Sequence, residues 1–175
     1  LTDEIGTSGL VKVFFRLDAD DWHGHSSESM WAEPVSGSDA GDLYRLQNSP
    51  FFTRGVSFLD VVRAELSDYF DGGRLEAVEF IDRSGHSTYM VICQTDLERF
   101  KQRWELLEAL GCTYESTTLS VGLLYSVDAP PATDLVQVDE VLMQGVRDGV
   151  WICQDGAVRR DGRQTGGGDG VGAPQ

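Results

Sequence analysis

TYMVICQTDLERFKQRWELLEALG, residues 88–111, decides how this chain is read. Its first part, Thr88–Gln94, is aromatic, β-branched and apolar in the manner of a strand. Then the rhythm changes. Leu97, Phe100, Trp104, Leu107 and Leu110 recur every three or four residues, which puts them on one face of a helix. Thr95, followed three positions on by Glu98, is a capping-box pattern, so the helix is predicted to open at Thr95. Gly111 closes it, because glycine takes the positive φ that a helix end requires.

Working downstream, Cys112–Glu115 and Ser120–Val127 read as two further strands. Pro130-Pro131 breaks the chain, and Asp134 caps a second helix whose stripe is Leu135, Val138, Leu142 and Val146. Gly149 ends that helix, and Val150-Trp151-Ile152-Cys153 is a last short strand. The order β-α-β-β-α-β predicts a ferredoxin-like subdomain over residues 88–155. Upstream, residues 10–87 read as all-β. Val11–Leu17 is a strand, Asp18–Ser29 a long acidic loop, and Met30–Val35 and Leu43–Leu46 a hairpin across Ser36–Gly41. Phe58–Leu66 fits either period; Val61-Val62 and the turn Asp71-Gly72-Gly73 before Leu75–Ile81 favour a strand. These short strands predict a small β-barrel or strongly curled sheet, and the whole chain an α+β fold. Residues 1–9 are expected to be flexible, and residues 156–175, rich in Gly and charge, to form a disordered tail.

Composition narrows the function classes. The chain has 175 residues and 41% hydrophobic content, enough for a real core. Its formal net charge is −15, and its bases are scattered, so nucleic acid and anionic membrane surfaces are not expected partners. No apolar run approaches the roughly 18 residues of a spanning helix. Cys93, Cys112 and Cys153 are lone and lie in apolar runs, which fits buried thiols in a reducing cytoplasm and no zinc site. Twelve of the fourteen basic residues are Arg, a usage that points to a GC-rich bacterial source. No cofactor motif is present, and the oligomeric state is left open.

Two segments carry candidate chemistry. Ser84-Gly85-His86-Ser87-Thr88-Tyr89 places an imidazole among hydroxyls. His86 suits a general base when a carboxylate orients it, with Asp60, Asp82 and Glu33 as candidate carboxylates and Ser84 or Ser87 as nucleophile. The plainer reading is a junction: Gly85 permits a turn and the hydroxyls satisfy loose backbone groups. In Pro50-Phe51-Phe52-Thr53-Arg54-Gly55, adjacent aromatics point to opposite faces and Arg54 offers a planar fork for an anion. Phe52 as core and Arg54 as a solvated charge is the plainer reading here. Trp31 and Glu33, two apart on one strand face, could wall a cleft or simply belong to the core and its edge. His23-Gly24-His25 near Asp18, Asp20 and Asp21 lacks a ligand spacing that would define a metal.

A resemblance gathers these pieces. Met30-Trp31-Ala32-Glu33, Leu43–Leu46, Asn48-Ser49-Pro50-Phe51-Phe52-Thr53-Arg54-Gly55-Val56, Asp60-Val61-Val62, Ser84–Tyr89, Gly111–Glu115, Val127–Pro130 and Gly149-Val150-Trp151 occur in one order. Together they resemble an uncharacterised bacterial family, domain-of-unknown-function family 4265, over roughly residues 10–155. That resemblance implies membership and brings no reaction. The expected function is a binding or accessory module with a small-molecule or protein partner held at the subdomain junction by Trp31, Glu33, Phe52, Arg54, Ser84, His86 and Thr88. An enzyme using His86, with Ser84, Ser87 or Asp60, is the first alternative. A protein-interaction domain without a pocket is the second.

Overall fold

The computed structural model describes residues 9–35, 42–160 and 163–166. The expected hairpin turn at residues 36–41, the N-terminal residues 1–8 and the end of the tail at 167–175 lie outside the described residues. The fold is mixed α+β, mostly strands with two helices.

Residues 11–82 form five strands: β1 (Val11–Arg16), β2 (Ser27–Pro34), β3 (Leu43–Leu46), β4 (Val61–Ser67) and β5 (Arg74–Asp82). Consecutive strands pair antiparallel, and β5 returns to β1 in parallel through Val13 opposite Leu75, closing the sheet into a ring. Side chains alternate across a strand, so every second residue points inward. Val13 and Phe15, Met30 and Ala32, and Val62 and Ala64 obey that period and fill the ring with Leu46 and Val56. The ambiguous segment Phe58–Leu66 is a strand only from Val61 on. Before it, Leu59 sits at φ 63°. That conformation is rare for a branched side chain. It is held by the Leu59 N–H donating to the Leu46 carbonyl, and the Leu46 N–H to the Asp60 carbonyl.

The second sheet is built from β6 (Ser87–Cys93), β7 (Thr113–Leu119), β8 (Gly122–Ala129), β9 (Trp151–Arg160) and β10 (Arg163–Gly166). Its order is β10-β9-β6-β8-β7, antiparallel throughout. Helix α1 (Leu97–Ala109) links β6 to β7, and α2 (Leu135–Arg147) links β8 to β9. Both pack on one face, where Tyr89, Val91, Tyr125 and Val127 meet Phe100, Trp104, Leu107, Val138, Leu142 and Trp151. Phe100 stacks on Tyr125 at 4.2 Å, and the Trp151 indole donates to the Leu142 carbonyl at 2.9 Å. Gly145 makes room for that indole: a Cβ there would lie 2.2 Å from Trp151.

Two expectations are corrected. The cap of α1 is Asp96, not Thr95; its carboxylate accepts from the Arg99 N–H at 2.9 Å, three residues on, as an N-cap side chain does. The tail does not begin at 156. Strand β9 runs on to Arg160 and pairs with β10, because Ala157 and Val158 are buried and Gly156 accepts from the Gly55 N–H. Gln154-Asp155-Gly156 has the composition of a turn, and pairing with β6 on one side and the Gly55 N–H on the other keep it extended.

Candidate functional site

The other face of the second sheet has no helix on it. Met90, Ile92 and Leu124 line it, and the β3–β4 connection, residues 47–60, lies across them through Phe51 and Phe52. Two buried carboxylates hold that connection in shape. Glu28 accepts the backbone N–H groups of Phe51 (2.6 Å), Phe52 (3.0 Å) and Thr53 (2.7 Å), and the Thr53 hydroxyl at 2.7 Å. Asp60 accepts from the Ser57 N–H (3.0 Å), the Ser84 N–H (2.9 Å) and the Arg83 guanidinium (2.9 Å). Further bonds stitch the connection to the sheet: Ser126 Oγ to the Pro50 carbonyl, the Gly55 N–H to the Gly156 carbonyl, and the Ser49 N–H to Glu115.

At the Asp60 end lies the hydroxyl-rich run. His86 Nδ1 is 2.8 Å from Asp128 Oδ1, across the β6–β8 ladder, and its ring packs edge-on against Phe58. A carboxylate does stand behind the imidazole, and it is Asp128; Asp60 is engaged elsewhere, while Glu33 and Asp82 are exposed. The hydroxyls are committed to other partners. Ser84 Oγ donates to the Phe58 carbonyl at 2.6 Å and accepts from the His86 N–H; Ser87 Oγ accepts from the Arg159 N–H; Thr88 Oγ1 donates to Ser57 Oγ. The Arg159 guanidinium donates to the carbonyls of Gly85, Pro130 and Thr133. Burial pushes the Asp128 carboxyl above its ordinary value, against the opposing pull of His86 and Arg159. The side chains of His86 and Asp128 are only 12% and 7% exposed, so the pair is largely enclosed.

The other end is different. An apolar pocket of about 140 Å3 opens between Trp22, on the β1–β2 loop, and Met90, Ile92, Leu124, Ile152, Cys153 and Gln154 of the sheet. Cys153 borders the pocket by its place in the strand; it packs with the helix-side core, where burial raises its thiol well above the ordinary value. Phe52 sits beside it against Trp22, His23 and His25. His23 Nδ1 accepts from the His25 N–H, and burial lowers the His23 pKa despite nearby Asp21. Arg54 stands at the polar margin. With the Gln154 amide turned so that its oxygen faces Arg54, it accepts from Nε at 2.9 Å and Nη2 at 2.5 Å. Asp21 lies 3.4 Å from Nη2. Among the described residues no group of three or more His, Cys, Asp or Glu is placed to hold a metal.

Thus Phe52 and Arg54 come together at one end of the connection, and Asp60, Ser84, His86, Ser87 and Thr88 at the other. Trp31 and Glu33 belong to neither. They lie on the outside of the ring, where Lys12 covers the Trp31 ring and Gln47 binds Glu33. Sequence reading missed Glu28, Asp128, Arg159 and the pocket wall. Only the alternation of Met90 and Ile92 in β6 signalled a second buried face; nothing local paired Asp128 with His86, 42 positions away.

A family comparison matches residues 28–153 to a family described as Domain of unknown function (DUF4265). No curated protein matches the chain. Among solved structures, a hypothetical protein from Neisseria gonorrhoeae is similar, with a TM-score of 0.66 and 16% identity over 83% of this chain and 92% of that one. At that identity the likeness concerns the fold.

Proposed function

The chain belongs to the domain-of-unknown-function family DUF4265, and on that footing we propose that it is a small-molecule binding or accessory module. Its site is the apolar pocket beside the β3–β4 connection. We read the protein as a barrel-like half, residues 10–87, joined to a ferredoxin-like half that starts at residue 88, with ligands taken at their seam. The strand order with both helices on one face supports the second label, and the return of β5 to β1 the first. The pocket itself carries the functional reading: apolar walls, a few polar groups at one margin and a place between two packed units are what ligand sites share. A cavity of about 150 Å3 accepts benzene, so the ligand presents a compact apolar group of about six carbons. Three free cysteines support a reducing, cytoplasmic setting. The charge of −15 argues against a phosphate-backbone partner.

Methyl NMR on Met90 and Ile152 during titration with benzyl alcohol tests this. Saturable shifts in the wild type, lost in Ile152→Trp, are expected; absence of shifts at millimolar ligand would falsify the pocket as a site. A second reading rests on the His86–Asp128 pair, which supplies the oriented imidazole of a hydrolase. Hydrolysis of nitrophenyl esters by the wild type but not by His86→Ala would move the conclusion to an enzyme.

A further inference from the structure

The pocket has a polar margin, and its chemistry is specific. We infer that the ligand is a compact apolar molecule bearing a carboxylate, and that Arg54 receives that carboxylate. The inference rests on the pocket reading above and adds the ligand's charge.

Gln154 is both a wall of the pocket and the partner of Arg54, so the guanidinium lies one side chain away from the apolar space. It is carried on a fixed support. Gly55, next in the chain, has φ 73° and donates its N–H to the Gly156 carbonyl at 2.8 Å, two residues beyond Gln154 on the same strand. The fork is not fully used. Nε and Nη2 face Gln154, while Nη1 has no acceptor among the described residues. Asp21 meets Nη2 at 3.4 Å, as an ion pair without a hydrogen bond, and both side chains are about a third exposed. A carboxylate is normally held by arginine through two parallel N–H donors; the Nε–Nη2 edge is taken by Gln154, so a ligand carboxylate would use the Nη1–Nη2 end in competition with Asp21. Asp21 is half-buried and accepts from the Trp22 N–H through Oδ1, so a ligand carboxylate competes with its other oxygen for Nη2.

The overall charge of −15 repels anions, but that field is screened within about 8 Å at physiological salt. A guanidinium in direct contact is not screened in this way, so the local cation decides.

Benzoate and benzyl alcohol share a ring that fits the cavity and differ in charge, so they separate the two claims. Titrations followed by NMR of Trp22, Met90 and Ile152, at about 0.15 M salt, should show benzoate binding about tenfold more tightly than the alcohol in the wild type, the scale of one hydrogen bond to a charged group. Arg54→Met should level the two ligands. Arg54→Lys, which keeps the charge and loses the fork, should retain part of the preference, and it serves should the Met variant melt early. Asp21→Asn should tighten benzoate and leave the alcohol unchanged. Equal or weaker binding of benzoate in the wild type, or a benzoate preference that survives Arg54→Met, overturns the carboxylate assignment while the pocket reading stands. If neither ligand moves those signals, both fall.

Discussion

The two ends of the β3–β4 connection use similar residues to different purposes. At the Asp60 end, every conspicuous polar group is already engaged: Asp60 holds two amides and Arg83, His86 faces Asp128, and the hydroxyls of Ser84, Ser87 and Thr88 serve backbone or one another. At the Phe52 end, Glu28 completes the loop's hydrogen bonding, and what is left over is an apolar space with one incompletely used guanidinium. Burying a polar group without a partner is costly, so a packed seam satisfies its own polar atoms. Residues that resemble catalytic groups are there bonded to one another and to the backbone. Spare capacity shows as unfilled apolar volume.

That contrast predicts a ranking. Removing a polar group at the Asp60 end should cost the most. Asp60→Ala leaves the buried Ser57 amide, the half-buried Ser84 amide and Arg83 without an acceptor and should lower unfolding free energy by about 3 kcal/mol in urea titration, with Asp60→Asn recovering part of it. A loss under about 0.5 kcal/mol, the range of ordinary surface changes, would mean that this end is not held by its carboxylate. His86→Ala follows, at about 1–2 kcal/mol, because it removes one hydrogen bond to a charged group and the contact with Phe58. At the pocket end, Ile152→Trp should change stability by no more than about 0.5 kcal/mol, since Ile152 is 52% exposed, yet abolish benzyl alcohol binding. Equal stability losses at both ends would erase the distinction.

The smallest effect concerns pH. Burial raises the Asp128 carboxyl, so the folded chain holds that proton more tightly than the unfolded chain. Its contribution to stability is therefore present at low pH and lost as pH rises from the ordinary carboxyl range through the folded value. Asp128→Asn cannot ionise, so its melting temperature minus that of the wild type should increase between about pH 4 and about pH 7. A difference that is flat or reversed would show that His86 and Arg159 compensate the buried charge.

Much of the frame was legible in the sequence. β-Branched and aromatic enrichment between turn residues gave the N-terminal strands, and the three-and-four spacing of Phe100, Trp104 and Leu107 gave α1, because a buried helix face imprints its period on neighbouring positions. Asp134 was readable as a cap for the same local reason, accepting from the Val136 and Gln137 N–H groups. The end of β9 was not, since its polar residues are kept extended by β6 and β10 and not by propensity. The site was half legible. Arg54 and Phe52 stand out as residue types, and Ser84–Tyr89 stands out as a string.

By itself, then, the sequence determined an acidic α+β chain in which a strand-rich stretch precedes two helices, because periodicity and composition act over a few residues or over the whole. Tertiary structure alone decided that Asp128 faces His86 and that Gln154 faces Arg54, 100 positions apart in the chain. Such pairings depend on which strands lie side by side and on how the connection crosses them. The order of a chain records neither until long-range packing brings the pieces together.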